Sequence, residues 1–154
     1  VDTVEQLAQH LFICPSTVSQ YAALACSEKE TLAEYERRRA EFKPRRDWSV
    51  PQLYALGLNV TVTPDGAFYA CADCRAACDK LFDPASAARS EYNSGMQCAG
   101  SWDFAFELMK RAHLAVTPGR DFGHADTAHF IRFSTANSMA HLQTAVDRLR
   151  EVLA

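Results

Sequence analysis

Arg132 is the residue of this 154-residue chain whose type and position point most directly to chemistry. It stands within His129-Phe130-Ile131-Arg132-Phe133-Ser134-Thr135-Ala136, a run with the aromatic and β-branched composition of a strand. Side chains alternate along a strand, so Phe130, Arg132 and Ser134 share one face and Ile131, Phe133 and Thr135 the other. One face can pack on a core while the other aims a guanidinium at a cleft. Its five N–H donors need partners wherever they are buried. The planar fork suits a carboxylate or phosphate held through two parallel hydrogen bonds. The competing reading is a half-exposed strand arginine in a surface ion pair. The residue pattern leaves both open.

The other candidate chemistry is thiol chemistry. Six cysteines are present, and Cys71, Cys74 and Cys78 lie close together. Structural zinc asks for paired thiolates or imidazoles, a C-x2-C followed at a distance by a second pair. No second pair follows here and Cys98 stands alone, so no metal site is expected. The thiols are expected to be reduced and to behave as small apolar side chains.

Composition sets the frame for both. With 48% hydrophobic and 23% charged residues, the chain reads as one soluble globular domain or part of a larger one. A formal net charge of -3 gives no argument for nucleic acid or an anionic membrane. No apolar run approaches the ~20 residues of a membrane helix, and no signal peptide is visible. A cytoplasmic location is therefore expected. The chain starts at Val1 without an initiator methionine, which reads as a fragment or a processed product.

The elements that must position Arg132 follow from periodicity. Val4, Leu7, Ala8, Leu11 and Phe12 predict a helix over 2–12. After Cys14-Pro15-Ser16-Thr17 comes a second helix over 17–26, whose small residues predict burial. Residues 30–43 form a third, with charged pairs on its outer side. Pro44 and then Pro51 are expected to kink or end it, and Gly57 to stop the last turns. Alternation at Leu58, Val60 and Val62 predicts a strand over 58–62. Pro64-Asp65-Gly66 then turns it into an antiparallel partner over 67–72. Residues 83–100 read as a long loop. A helix is expected over 101–112 with Ser101 as N-cap, and a short strand over 113–117. The Arg132 strand over 130–135 follows, and then a helix over 138–153 capped by Ser138, with Leu142, Val146, Leu149 and Leu153 on one stripe. The strands should form one small sheet backed by the last two helices.

Five marks now fall in one order. They are S-T-V-S-Q-Y-A-A-L-A at Ser16 to Ala25 with the arginine-rich helix after it, P-x-G-A-F-Y at Pro64 to Tyr69, P-G-x-x-F-G at Pro118 to Gly123, I-R-F-S-x-A at Ile131 to Ala136, and an amphipathic C-terminal helix. Together they resemble the C-terminal part of a class I/II aminotransferase of pyridoxal-phosphate fold type I. The resemblance covers nearly the whole chain.

The resemblance implies an α+β fold: a small antiparallel or mixed sheet backed by helices, preceded by a long linking helix. Residues 1–27 would end the large cofactor domain, 28–56 would link the domains, and 57–154 would form the small domain. Arg132 matches the family arginine that grips the substrate α-carboxylate. Thr17 matches a position reaching the phosphate of pyridoxal 5'-phosphate held by the neighbouring subunit of a homodimer. Gly119 and Gly123 match turn glycines at the cleft mouth. Substrates would be an amino acid and a 2-oxo acid. The cofactor-bearing lysine lies upstream in such enzymes, and Lys29, Lys43, Lys80 and Lys110 do not resemble it. No catalytic residue is therefore assigned within the chain, which is expected to be inactive alone. Departures from the family pattern are Pro44 and Pro51, Cys71 where an aromatic is common, and residues 83–100, which look like an insertion. Another fold type I reaction, an elimination or a decarboxylation, stays open, as does a non-catalytic interaction module.

Overall fold

The computed structural model describes residues 1–82, 100–123 and 126–153. They form two compact units, Val1–Ala40 and Glu41–Ala154. The expected loop over 83–100 lies, but for Gly100, outside the described residues.

The first unit is helical. Helix α1 spans Asp2–Leu11, α2 spans Thr17–Ala25, and α3 begins at Lys29. Ser16 caps α2, its hydroxyl accepting from the Ser19 amide at 3.3 Å. The expected burial of α2 is not found: neither α1 nor α2 has a buried residue, and Val18, Tyr21 and Leu24 are exposed. A unit of this size has too much surface for its volume to cover its own apolar faces.

Helix α3 runs without a break from Lys29 to Ala55, so neither proline ends it. Each proline removes one N–H and frees the carbonyl four residues earlier, that of Ala40 or Asp47. Pro44 and Pro51 are seven residues apart and exposed, as are Ala40 and Asp47, so water can satisfy those carbonyls. The last turns are held by burial of Ser49, Val50 and Leu53. Gly57, at φ +85°, closes the helix: its amide bonds to the Tyr54 carbonyl and that of Leu58 to Leu53.

The second unit is built around a three-stranded antiparallel sheet of order β1-β3-β2. Strand β1 is Tyr69–Asp73, β2 is Thr117–Pro118 and β3 is Phe130–Ser134. The Arg132 strand forms where expected and lies in the middle. The strand predicted over 67–72 forms over Tyr69–Asp73, but its ladder partner is β3. The expected strand over 58–62 is absent, and that stretch contributes one isolated bridge, Asn59 to Asp73. Leu58 and Val60 are nonetheless fully buried. The Val60 carbonyl accepts from the Tyr54 hydroxyl instead of a strand amide. The strand predicted over 113–117 is reduced to β2, because His113 takes a left-handed conformation (φ 53°) that caps the preceding helix.

That helix, α5, spans Ser101–Ala112, with Gly100 as N-cap in place of the expected Ser101. Ser101 is buried inside the first turn and its hydroxyl has no partner among the described residues. Helix α4, Arg75–Leu81, joins β1 to the region before α5 and has no counterpart among the expected elements. Helix α6, Met139–Leu153, packs mainly on α5 and α4, with Ser138 accepting from the His141 amide at 3.3 Å. Leu142, Val146, Leu149 and Leu153 are all buried, in one core with Phe104, Leu108, Leu53, Ile131 and Phe133. The sheet's inner face thus carries Ala70, Ala72, Ile131 and Phe133, and its outer face carries Tyr69, Cys71 and Arg132.

Candidate functional site

The register places Arg132 between two cross-strand neighbours, Cys71 on β1 and Thr117 on β2. The ladder on both sides fixes the Cα of Arg132 and the face from which its side chain leaves the sheet. It opens on a cleft of about 470 Å³ lined by Cys71, Gly119, Phe122, Asp126, Thr127, Phe130, Ile131 and Arg132. The walls are mostly apolar, which strengthens any charge interaction made inside.

The cleft mouth is shaped by a 3-10 turn, Gly119–Phe122. Gly119 is required there by close approach: a Cβ would run into the carbonyl oxygens of Thr127 and Phe130. Gly123 is required by conformation, at φ +148°, and not by space, since a Cβ there would meet only the Thr127 methyl at ordinary contact distance. The Thr127 hydroxyl donates to the Gly123 carbonyl at 2.6 Å, tying the residue that follows the turn to the segment leading into β3.

Most arginines of the chain have carboxylate partners. Arg37 and Arg38 pair with Glu34, Arg39 with Glu36, Arg45 with Glu41, Arg46 with Asp47, Arg75 with Asp73 and Arg150 with Asp147. Arg132 is half-buried and makes no ion pair or hydrogen bond among the described residues, and its Nε is a buried donor without an acceptor. The guanidinium carbon lies instead 4.0 Å from the Tyr69 ring centroid and 4.4 Å from that of Phe122. Asp126 lines the same cleft without pairing with it. A strand arginine in a surface ion pair is thus not what the described residues contain.

The electrostatics nearby are simple. Burial pushes the Asp73 carboxyl up, but the Arg75 side chain and backbone amide both donate to it, and the net shift is downward. This pair stands at the start of α4 and locks the end of β1.

Thr17 is in the other unit, exposed, as the first helical residue of α2 beside the N-cap Ser16. A helix start offers free amides and a positive dipole end to an anion. Among the cysteines, Cys71 is exposed in the cleft, while Cys74 and Cys78 are buried with sulfurs 3.8 Å apart, Cys74 donating to the His129 carbonyl. No cluster of metal-binding side chains occurs among the described residues. The four lysines are exposed on helices, Lys29 and Lys43 on α3, Lys80 on α4 and Lys110 on α5, and none lines the cleft. The cleft thus presents a guanidinium fork not paired with a protein carboxylate among the described residues, and no lysine among its lining. Sequence reasoning missed the two rings at Arg132. Tyr69 and Phe122 lie inside two of the five marks of the resemblance, but nothing in their spacing ties them to Arg132.

Comparison with known proteins gives a consistent picture. The aminotransferase class I and II family matches residues 1–149. The (5-formylfuran-3-yl)methyl phosphate transaminase of Methanocaldococcus jannaschii is 32% identical over 99% of this chain and 35% of its own length. An aspartate aminotransferase of Rhizobium meliloti is 35% identical over 88% of this chain and 30% of its own. The solved aromatic aminotransferase from Pyrococcus horikoshii superposes with a TM-score of 0.73 at 30% identity, over 96% of this chain and 34% of that one. The chain therefore spans about a third of the length of the relatives it matches.

Proposed function

Because the chain belongs to the class I and II aminotransferase family, we propose that it is the carboxylate-gripping part of a pyridoxal-phosphate-dependent aminotransferase. The complete enzyme moves an amino group between an amino acid and a 2-oxo acid. The observation that carries this reading is Arg132: a charged fork in an apolar cleft, with no ion pair or hydrogen bond among the described residues. A bidentate bond to a substrate α-carboxylate is worth roughly 1.5–3 kcal/mol. It also orients the substrate, so that the proton on its α-carbon faces the catalytic group. When bound, the cofactor supplies the electron sink for that carbon.

The cofactor-bearing lysine belongs to a part of the enzyme outside this chain. Residues 1–27 close the large domain, 28–56 link the domains and 57–154 form the small domain. In a homodimer, Thr17 at the start of α2 reaches the cofactor phosphate of the neighbouring subunit. No helix among the described residues is long and apolar enough to cross a membrane. The free thiols suit a reducing compartment, and the reading places the enzyme in the cytoplasm.

The test is Arg132→Lys in the complete enzyme. Lysine keeps the charge but loses the planar fork. The specificity constant for amino acid substrates should fall at least about tenfold, equal to about 1.4 kcal/mol of transition-state stabilisation. Cofactor absorbance should be nearly unchanged. Normal kinetics would return Arg132 to a structural role. The 154-residue chain alone should transfer no amino group.

A further inference from the structure

An arginine that grips a carboxylate through two parallel bonds has to present its fork in a fixed plane. A protein carboxylate would fix that plane but would occupy the same donors. Arg132 has another means. Tyr69 and Phe122 both place rings within stacking distance of its guanidinium carbon, at 4.0 and 4.4 Å. Stacking holds the plane through its face and leaves the in-plane N–H groups to a ligand.

Both rings are themselves held. Tyr69 is the diagonal neighbour of Arg132 across the β1–β3 ladder, and its ring leans on Phe68 at 4.4 Å. Phe122 is 51% exposed, so core burial does not account for its place. It is carried by the turn that Gly119 seats against the Thr127 and Phe130 carbonyls. On the other side of that turn, the Arg120 guanidinium carbon stacks 3.5 Å from the Trp102 ring centroid, pinning the turn to α5.

We propose that Tyr69 and Phe122 are positioning residues that hold the Arg132 guanidinium in its carboxylate-binding plane, with the Arg120–Trp102 stack holding the turn that carries Phe122. The inference rests on the carboxylate reading of Arg132.

The experiment is a calorimetric titration of the complete, cofactor-loaded enzyme with pyruvate, 2-oxoglutarate and phenylpyruvate, using whichever binds most tightly. Phe122→Ala should weaken binding at least about fivefold. Phe122→Tyr, which keeps the ring, should stay within about twofold of the parent. Arg120→Gln should weaken binding in the same direction, and less than additively with Phe122→Ala, because both act through one turn. In an Arg132→Ala background, Phe122→Ala should have no further effect, whereas a general structural role would weaken binding in both backgrounds. Unchanged binding in Phe122→Ala, or equal losses with and without Arg132, would overturn the proposal. Unchanged binding in Arg132→Ala alone would instead overturn the carboxylate reading beneath it.

Discussion

Cys71 and Arg132 are partners across the β1–β3 ladder, so a thiol and a guanidinium leave the sheet side by side. Directly opposed side chains stand about 4.5–5.5 Å apart at Cβ. Cys71 is small, and the ring that packs on Arg132 comes from the diagonal position, Tyr69. The resemblance leads one to expect an aromatic at 71. Cys71 departs from that expectation, whereas Tyr69 lies within one of the marks that carry the resemblance.

The exposure of the thiols makes a direct prediction. In the native 154-residue chain carrying Cys98→Ser, a thiol reagent should modify Cys14, Cys26 and Cys71 quickly and leave Cys74 and Cys78 intact, because the last two are buried. Under denaturing conditions the unaltered chain should titrate as six free thiols. A lower count, or stoichiometric zinc by elemental analysis, would contradict a reduced, metal-free chain.

Gly119→Ala should cost about 1–3 kcal/mol, the usual penalty for forcing extra volume into a packed site. The added methyl meets two backbone carbonyls, those of Thr127 and Phe130, which cannot rotate away as a flexible side chain could. Urea unfolding would show a lower midpoint at unchanged slope. A midpoint equal to that of the parent would mean the turn can shift at little cost.

The pH dependence of α3 follows from Glu34. Hydrogen bonds from Arg37 and Arg38 lower its carboxyl from the ordinary 4.5 to about 2. A carboxyl whose folded value is depressed stabilises fully above its unfolded value and loses that contribution as pH falls through the folded one. Helix content should therefore drop between pH 4.5 and about 2. Because the pair is exposed, the effect should be small and should shrink further in about 1 M salt. Carbon-13 titration of the Glu34 carboxyl checks the cause; a midpoint near 4.5 would mean that the two arginines do not hold it in solution.

Strongly periodic segments were legible in the sequence by itself, with the faces they bury; α4, and the exposure of α2, were not. Leu142, Val146, Leu149 and Leu153 recur at helical spacing, and all four are buried. Phe130 to Ser134 alternate, and β3 forms there with Ile131 and Phe133 inward. A charge amid those apolar residues is enough to single out Arg132 from the sequence alone. Periodicity reports solvent exposure, however, and says nothing about partners. Leu58 and Val60 alternate as a strand would and are buried as expected, yet their backbone pairs through one bridge only. Strand β1 pairs with a segment some sixty residues later, not with its neighbour in sequence. Nor does local propensity see Pro44 and Pro51 carried inside α3, where burial of the following turn outweighs two lost hydrogen bonds. The rings around Arg132 come from β1 and from a turn seated by Gly119, segments that only the folded chain brings together. Pairing and stacking join residues far apart in the chain, and no spacing rule encodes a contact whose two halves are fixed independently.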